Sequence, residues 1–113
     1  MSKPDQLTEE RRAQNEAVFR DANETLRAVQ DDLGMPEGRM PFICECDDPD
    51  CRSIIRITQT AYENVRASPR RFVIAPGHTT LGDPVEHHVE YWVVEKSGLS
   101  GEIADETDPR RDA

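Results

Sequence analysis

The chain has 113 residues, 35% of them hydrophobic and 33% charged, and 23 acidic against 14 basic side chains leave a formal net charge of −9. That length and composition fit one domain with a small core. The charge argues against nucleic acid, whose binding rests on neutralising phosphates with Lys and Arg, and equally against an anionic membrane surface. No run approaches the roughly 18 apolar residues of a membrane span.

The N-terminal Met1-Ser2-Lys3-Pro4-Asp5-Gln6-Leu7 has no apolar core and does not read as a signal peptide. The expected location is therefore cytoplasmic, where thiols stay reduced. Residues 8–33 read as one long helix: Phe19, Ala22, Leu26, Val29 and Leu33 step by 3, 4, 3 and 4, Asn15 extends the line, and Val18 and Ala28 widen it. Gly34 followed by Pro36 ends the helix. The face carrying Glu16, Arg20, Asp21, Glu24, Arg27 and Asp31 is expected to be solvated, with the apolar stripe lying on the chain's own sheet. A helix-mediated dimer is the alternative use of that stripe.

Residues 34–41 read as a linker, and Phe42-Ile43 leads into Cys44-Glu45-Cys46-Asp47-Asp48-Pro49-Asp50-Cys51. The β-branched run at residues 53–57 predicts a strand, and Thr58 or Thr60 caps a short helix with Ala61, Tyr62 and Val65 facing inward until Ser68-Pro69 stops it. Residues 71–75 predict a second strand, ended by Pro76-Gly77-His78. Residues 85–96 alternate as a third, with Val85, His87, Val89, Tyr91 and Val93 on one face. Gly98 and Gly101 break the pattern, Ile103 is expected to add a last short pairing, and residues 102–113 read as frayed.

The chain holds 3 cysteines, all within residues 44–51. Crowded thiolates repel one another unless a cation holds them, and Zn²⁺ does this best. Cysteines at i and i+2 reach one ion when the backbone turns between them, and the third returns across the Asp-Asp-Pro-Asp turn. The C-x-C-x4-C spacing resembles the post-SET segment of histone methyltransferases, whose zinc site is completed by a remote fourth cysteine; only that coordination logic carries over. Here the candidates for the fourth ligand are the histidines, a water or an acid taking that position in the enzyme alternative. His78 is favoured because Pro76-Gly77 swings it sideways at a strand end; His87 is second, on the apolar face of its strand; His88, beside Glu86 and Glu90, reads as a surface residue.

Three thiolates blunt the Lewis acidity of a zinc ion, and the motifs H-E-x-x-H, H-x-E with P-C-x-x-C, and G-x-S-x-G are absent from the sequence. Structural Zn²⁺ held by Cys44, Cys46, Cys51 and His78 is the expectation, with Glu45 facing solvent. Arg66, Arg70 and Arg71 form the one basic patch, read as complementing a helix C-terminus.

The segments Phe42-Ile43-Cys44-Glu45-Cys46 with Cys51, residues 58–69, Arg71-Phe72-Val73-Ile74-Ala75-Pro76-Gly77-His78, Tyr91-Trp92-Val93-Val94-Glu95-Lys96 and the helical Gln14-Asn15-Glu16-Ala17-Val18-Phe19-Arg20 together resemble a family of small uncharacterised bacterial proteins. The resemblance spans most of residues 12–109 and implies that the cysteine cluster and the Pro-Gly-His turn are features of that family. It implies no activity.

The sequence thus predicts an α+β fold: a long N-terminal helix packed on a small, mostly antiparallel sheet, with a zinc knuckle before the first strand. Residues 1–7 are expected to be disordered, 8–103 to form a single zinc-stabilised domain and 104–113 to form a flexible acidic tail. The function that fits is a non-enzymatic regulatory or interaction module acting on a protein partner. The alternatives are a small zinc enzyme with Glu45 as base, or a thiol redox switch.

Overall fold

The computed structural model describes residues 4–34 and 38–111, with side chains from residue 8 onward. The elements run α1 (Pro4–Asp32), β1 (Arg39–Ile43), β2 (Ile54–Thr58), α2 (Gln59–Arg66), β3 (Arg71–Ile74), β4 (Asp83–His87), β5 (Trp92–Glu95) and α3 (Gly98–Glu106). Both sheets are antiparallel, one pairing β1 with β2 and the other ordered β3-β5-β4. The expected α+β class holds, with a long N-terminal helix over small antiparallel sheets.

Strand periodicity builds the core. Met40 and Phe42 of β1 alternate with exposed neighbours, as do Ile55 and Ile57 of β2, and all four point at Phe72, Val73, Ile74 and Val94 of the second sheet. Tyr62 of α2 closes this core by stacking on Phe42, with ring centroids 4.4 Å apart. Thr58 is the residue that caps α2, its hydroxyl accepting from the Ala61 N–H at 3.0 Å. Gly34 ends α1 in the left-handed region, φ +62°, its N–H bonded to the Asp31 carbonyl at 3.0 Å.

Several expectations need correction. The stretch read as a linker ends in β1, whose inward Met40 and outward Pro41 keep a period of two. The expected knuckle position therefore falls between β1 and β2 rather than before the first strand. Residues 85–96 are not one strand but a hairpin: the chain reverses at residues 88–91, where the His88 N–H bonds the Tyr91 carbonyl at 2.9 Å and Val89 is 95% exposed. His87 lies exposed on β4, packed edge-on to Trp92, rather than on a buried face.

The segment read as a last pairing and a frayed tail contains α3, with Ile103 and Ala104 buried. Beyond it, Asp108 is buried and ion-paired to Arg66, and Arg110 bridges Glu24 of α1 and Glu63 of α2. Gly101 fits inside this helix because Arg70 crosses it closely; a Cβ there would lie 2.7 Å from Nη1. Of the expected disordered N-terminus, the described part begins at Pro4, where the helix starts; residues 1–3 lie outside it.

A further correction concerns which face of α1 is buried. The inward residues are Ala13, Glu16, Ala17, Arg20, Asn23 and Gln30, while Val18, Val29 and Leu33 of the apolar stripe are exposed. Glu16 and Arg20, expected in solvent, are 1% and 0% exposed. Burying such groups is tolerable only when each is paired with an opposite charge or well hydrogen-bonded. Glu16 meets Lys96 Nζ at 2.5 Å and accepts from the Thr80 hydroxyl. Arg20 donates to the carbonyls of Pro69 (2.6 Å) and Ala104 (2.8 Å) and lies over the Phe72 ring. The cation of Lys96 faces the same ring at 4.9 Å. The helix is thus fastened to the sheets by a buried polar network.

Candidate metal centre

Cys44 and Cys46 follow β1 directly. The Cys44 N–H extends the β1–β2 ladder by bonding the Ser53 carbonyl (3.1 Å), and the Glu45 N–H crosses to β3 at the Val73 carbonyl (2.8 Å). The backbone therefore turns between the two cysteines, as the C-x-C spacing requires. The Asp-Asp-Pro-Asp segment closes as predicted: Asp48 Oδ1 accepts from the Asp50 N–H at 2.9 Å and the Cys51 N–H returns to the Asp48 carbonyl at 3.0 Å. After β3, the Ala75 N–H donates to Cys44 Sγ at 3.2 Å, Gly77 takes φ +82°, and the His78 N–H bonds the Ala75 carbonyl. That turn brings His78 back over the cysteines.

His78 Nδ1 lies 3.5 Å from Cys44 Sγ and 3.9 Å from Cys51 Sγ. The ligand atoms of Cys44, Cys46, Cys51 and His78 all fall within 4.8 Å of one another. A zinc tetrahedron with bonds of about 2.3 Å to sulfur and about 2.0 Å to nitrogen has edges of roughly 3.5–3.8 Å. The His78–Cys44 distance matches such an edge and the His78–Cys51 distance is slightly longer, so the four groups are close enough to share one metal ion.

The thiols of the cluster differ in how readily they ionise. Burial pushes the Cys44 and Cys46 thiols up, away from the thiolate. Burial also raises Cys51, but hydrogen bonds from Ser53 and the neighbouring thiols outweigh it and hold that thiol below its usual value. Two buried thiols that resist ionising on their own are stabilised as thiolates by a metal, and binding then releases protons.

The other histidines lie elsewhere: His87 against Trp92, and His88 stacked on Tyr91 and bonded to Glu86 at 2.7 Å. Glu45, expected in solvent, is fully buried. Its carboxylate accepts from Asn23 Nδ2 (2.8 Å) and from the Val73 N–H (3.0 Å). Burial raises its pKa, partly opposed by those two hydrogen bonds. The basic patch is neutralised internally, Arg66 by Glu24 and Asp108, Arg70 by Asp105, and Arg71 by Glu86 and Glu95.

The sequence reading missed how α1 grips the cysteine-bearing segment. Gln30 donates to the Pro41 carbonyl, and Asn23 both donates to the Ile43 carbonyl and accepts from the Ile43 N–H, each at 2.8 Å. Asn15 donates to the Asp47 carbonyl, and Arg12 pairs with the Asp47 carboxylate. An asparagine side chain here replaces a neighbouring strand along β1. The available signal was weak: two asparagines, poor helix formers, inside a long helix. Comparison of the chain with known protein families, curated proteins and solved structures gives no match.

Proposed function

We propose that Cys44, Cys46, Cys51 and His78 bind one structural Zn²⁺ and that the protein is a non-enzymatic, zinc-stabilised regulatory or interaction module acting on a protein partner. The observation that carries this reading is the convergence of four ligand atoms within 4.8 Å, drawn from two separate loops. Three thiolates and an imidazole form a soft donor set suited to zinc, and four protein ligands complete its tetrahedron without a water position. The ion would tie the segment after β1 to the turn after β3, one from each sheet. The enzyme alternative needs Glu45 as its base, and that carboxylate is committed to Asn23 and Val73 inside the protein.

Native mass spectrometry of reduced protein, with and without a strong chelator, tests the reading. One zinc per chain, with cooperative loss of tertiary structure on removal, is the expected result. Zinc loss that leaves the fold and its thermal midpoint unchanged would refute a structural role.

A further inference from the structure

The exposed side of α1 carries a surface that the metal does not explain. Val18, Val29 and Leu33 are 64%, 47% and 71% exposed. At about 100° per residue, Arg11, Val18, Ala22, Val29 and Leu33 fall within roughly 60° of arc, on the side opposite the buried Glu16, Arg20 and Asn23. Beside this ridge, along the C-terminal half of the helix, runs a groove with Thr25, Ala28 and Val29 on one wall and Pro109 on the other; Asp21 and Asp32 also line it. One half of the helix therefore presents a ridge, and the other a ridge with a groove beside it.

We infer that this face self-associates: α1 of a second copy packs antiparallel on α1 of the first, crossing near Ala22. Charge selects the occupant and its direction. Arg11 is exposed and has no ion-pair partner among the described residues, and the same holds for Asp32 at the far end of the helix. Antiparallel packing sets Val18 of each copy against Val29 of the other and brings Arg11 within reach of Asp32. A two-fold axis makes every such contact twice. Parallel packing would instead oppose Arg11 to Arg11 and Asp32 to Asp32. The small side chain of Ala22 allows close approach at the crossing, and a closed pair leaves no apolar ridge free to extend a filament. The inference stands apart from the metal reading, because none of these residues touches the cysteine cluster.

Sedimentation velocity of the full chain over a concentration series tests it. A reversible monomer–dimer equilibrium is expected, weakened about tenfold or more by Val29→Asp. Because Val29 is exposed, far-UV circular dichroism should show the variant folded. Arg11→Asp should weaken association, and Arg11→Asp combined with Asp32→Arg should restore it. A single-chain mass at every concentration, or a dimer untouched by Val29→Asp, overturns the inference. Failure of the charge-reversed pair to recover association overturns the antiparallel arrangement.

Discussion

Asn23 is the residue whose replacement tests the inverted orientation of α1 most sharply. It is 0% exposed and makes three 2.8 Å hydrogen bonds: to the Ile43 carbonyl, from the Ile43 N–H and to Glu45 Oε2. Asn23→Leu keeps the volume but leaves an amide N–H, a carbonyl and a carboxylate oxygen short of partners, with no room for water. Each stranded group costs about 1–3 kcal/mol, the carboxylate most, and leucine returns about 0.5 kcal/mol as a better helix former. The net expectation is a loss of about 3–8 kcal/mol. For a domain of this size, that lowers Tm by roughly 12 °C or more. Urea unfolding of dilute, metal-loaded protein, followed by the fluorescence of Trp92, measures it. Val18→Ser, on the apolar stripe but 64% exposed, serves as the control and should cost less than about 0.5 kcal/mol. A larger loss from Val18→Ser than from Asn23→Leu would refute the burial of the polar face.

Lys96→Met should cost about 3–5 kcal/mol by leaving the Glu16 carboxyl without its cation in the interior, and Glu16→Gln added to it should recover most of that loss in thermal melts; both side chains of the pair are 1% exposed. Arg110→Ala should cost about 1 kcal/mol at neutral pH, the part-exposed clasp on Glu24 and Glu63 being discounted for solvent. Hydrogen bonds from Arg110 hold Glu63 below its ordinary 4.5, and in Glu24 hydrogen bonds from Arg110 and Arg66 outweigh the upward push of burial. A depressed folded pKa gives stability above the unfolded value and loses it as pH falls through the folded one, so the gap between parent and Arg110→Ala should close below about pH 4.5. A gap that stays constant through acid would show that the clasp is not ionic.

The cysteine cluster and its turns were legible because the residues themselves dictate the local geometry. Asp48 builds its own turn, and Gly77 takes a φ that bends the chain to bring His78 back. The facing of α1 was not legible, for a physical reason. Periodicity reveals stripes, but which stripe is buried depends on partners supplied from far along the chain. Glu16 is neutralised by Lys96, 80 positions away, and Arg20 is hydrogen-bonded by the carbonyls of Pro69 and Ala104. Strand β1 was hidden because Pro41 lies within it, on the outward side. Helix α3 was hidden because Gly98 and Gly101 read as breakers, whereas Gly101 makes room for Arg70.

X-ray absorption at the zinc edge of reduced protein, purified without added metal and quantified per chain, tests the central claim most directly. The account predicts one zinc per chain with three sulfur neighbours at about 2.3 Å and one nitrogen at about 2.0 Å, the nitrogen lost in His78→Ala. Folded, reduced protein carrying no zinc, or a shell in which His78→Ala changes nothing, would contradict it.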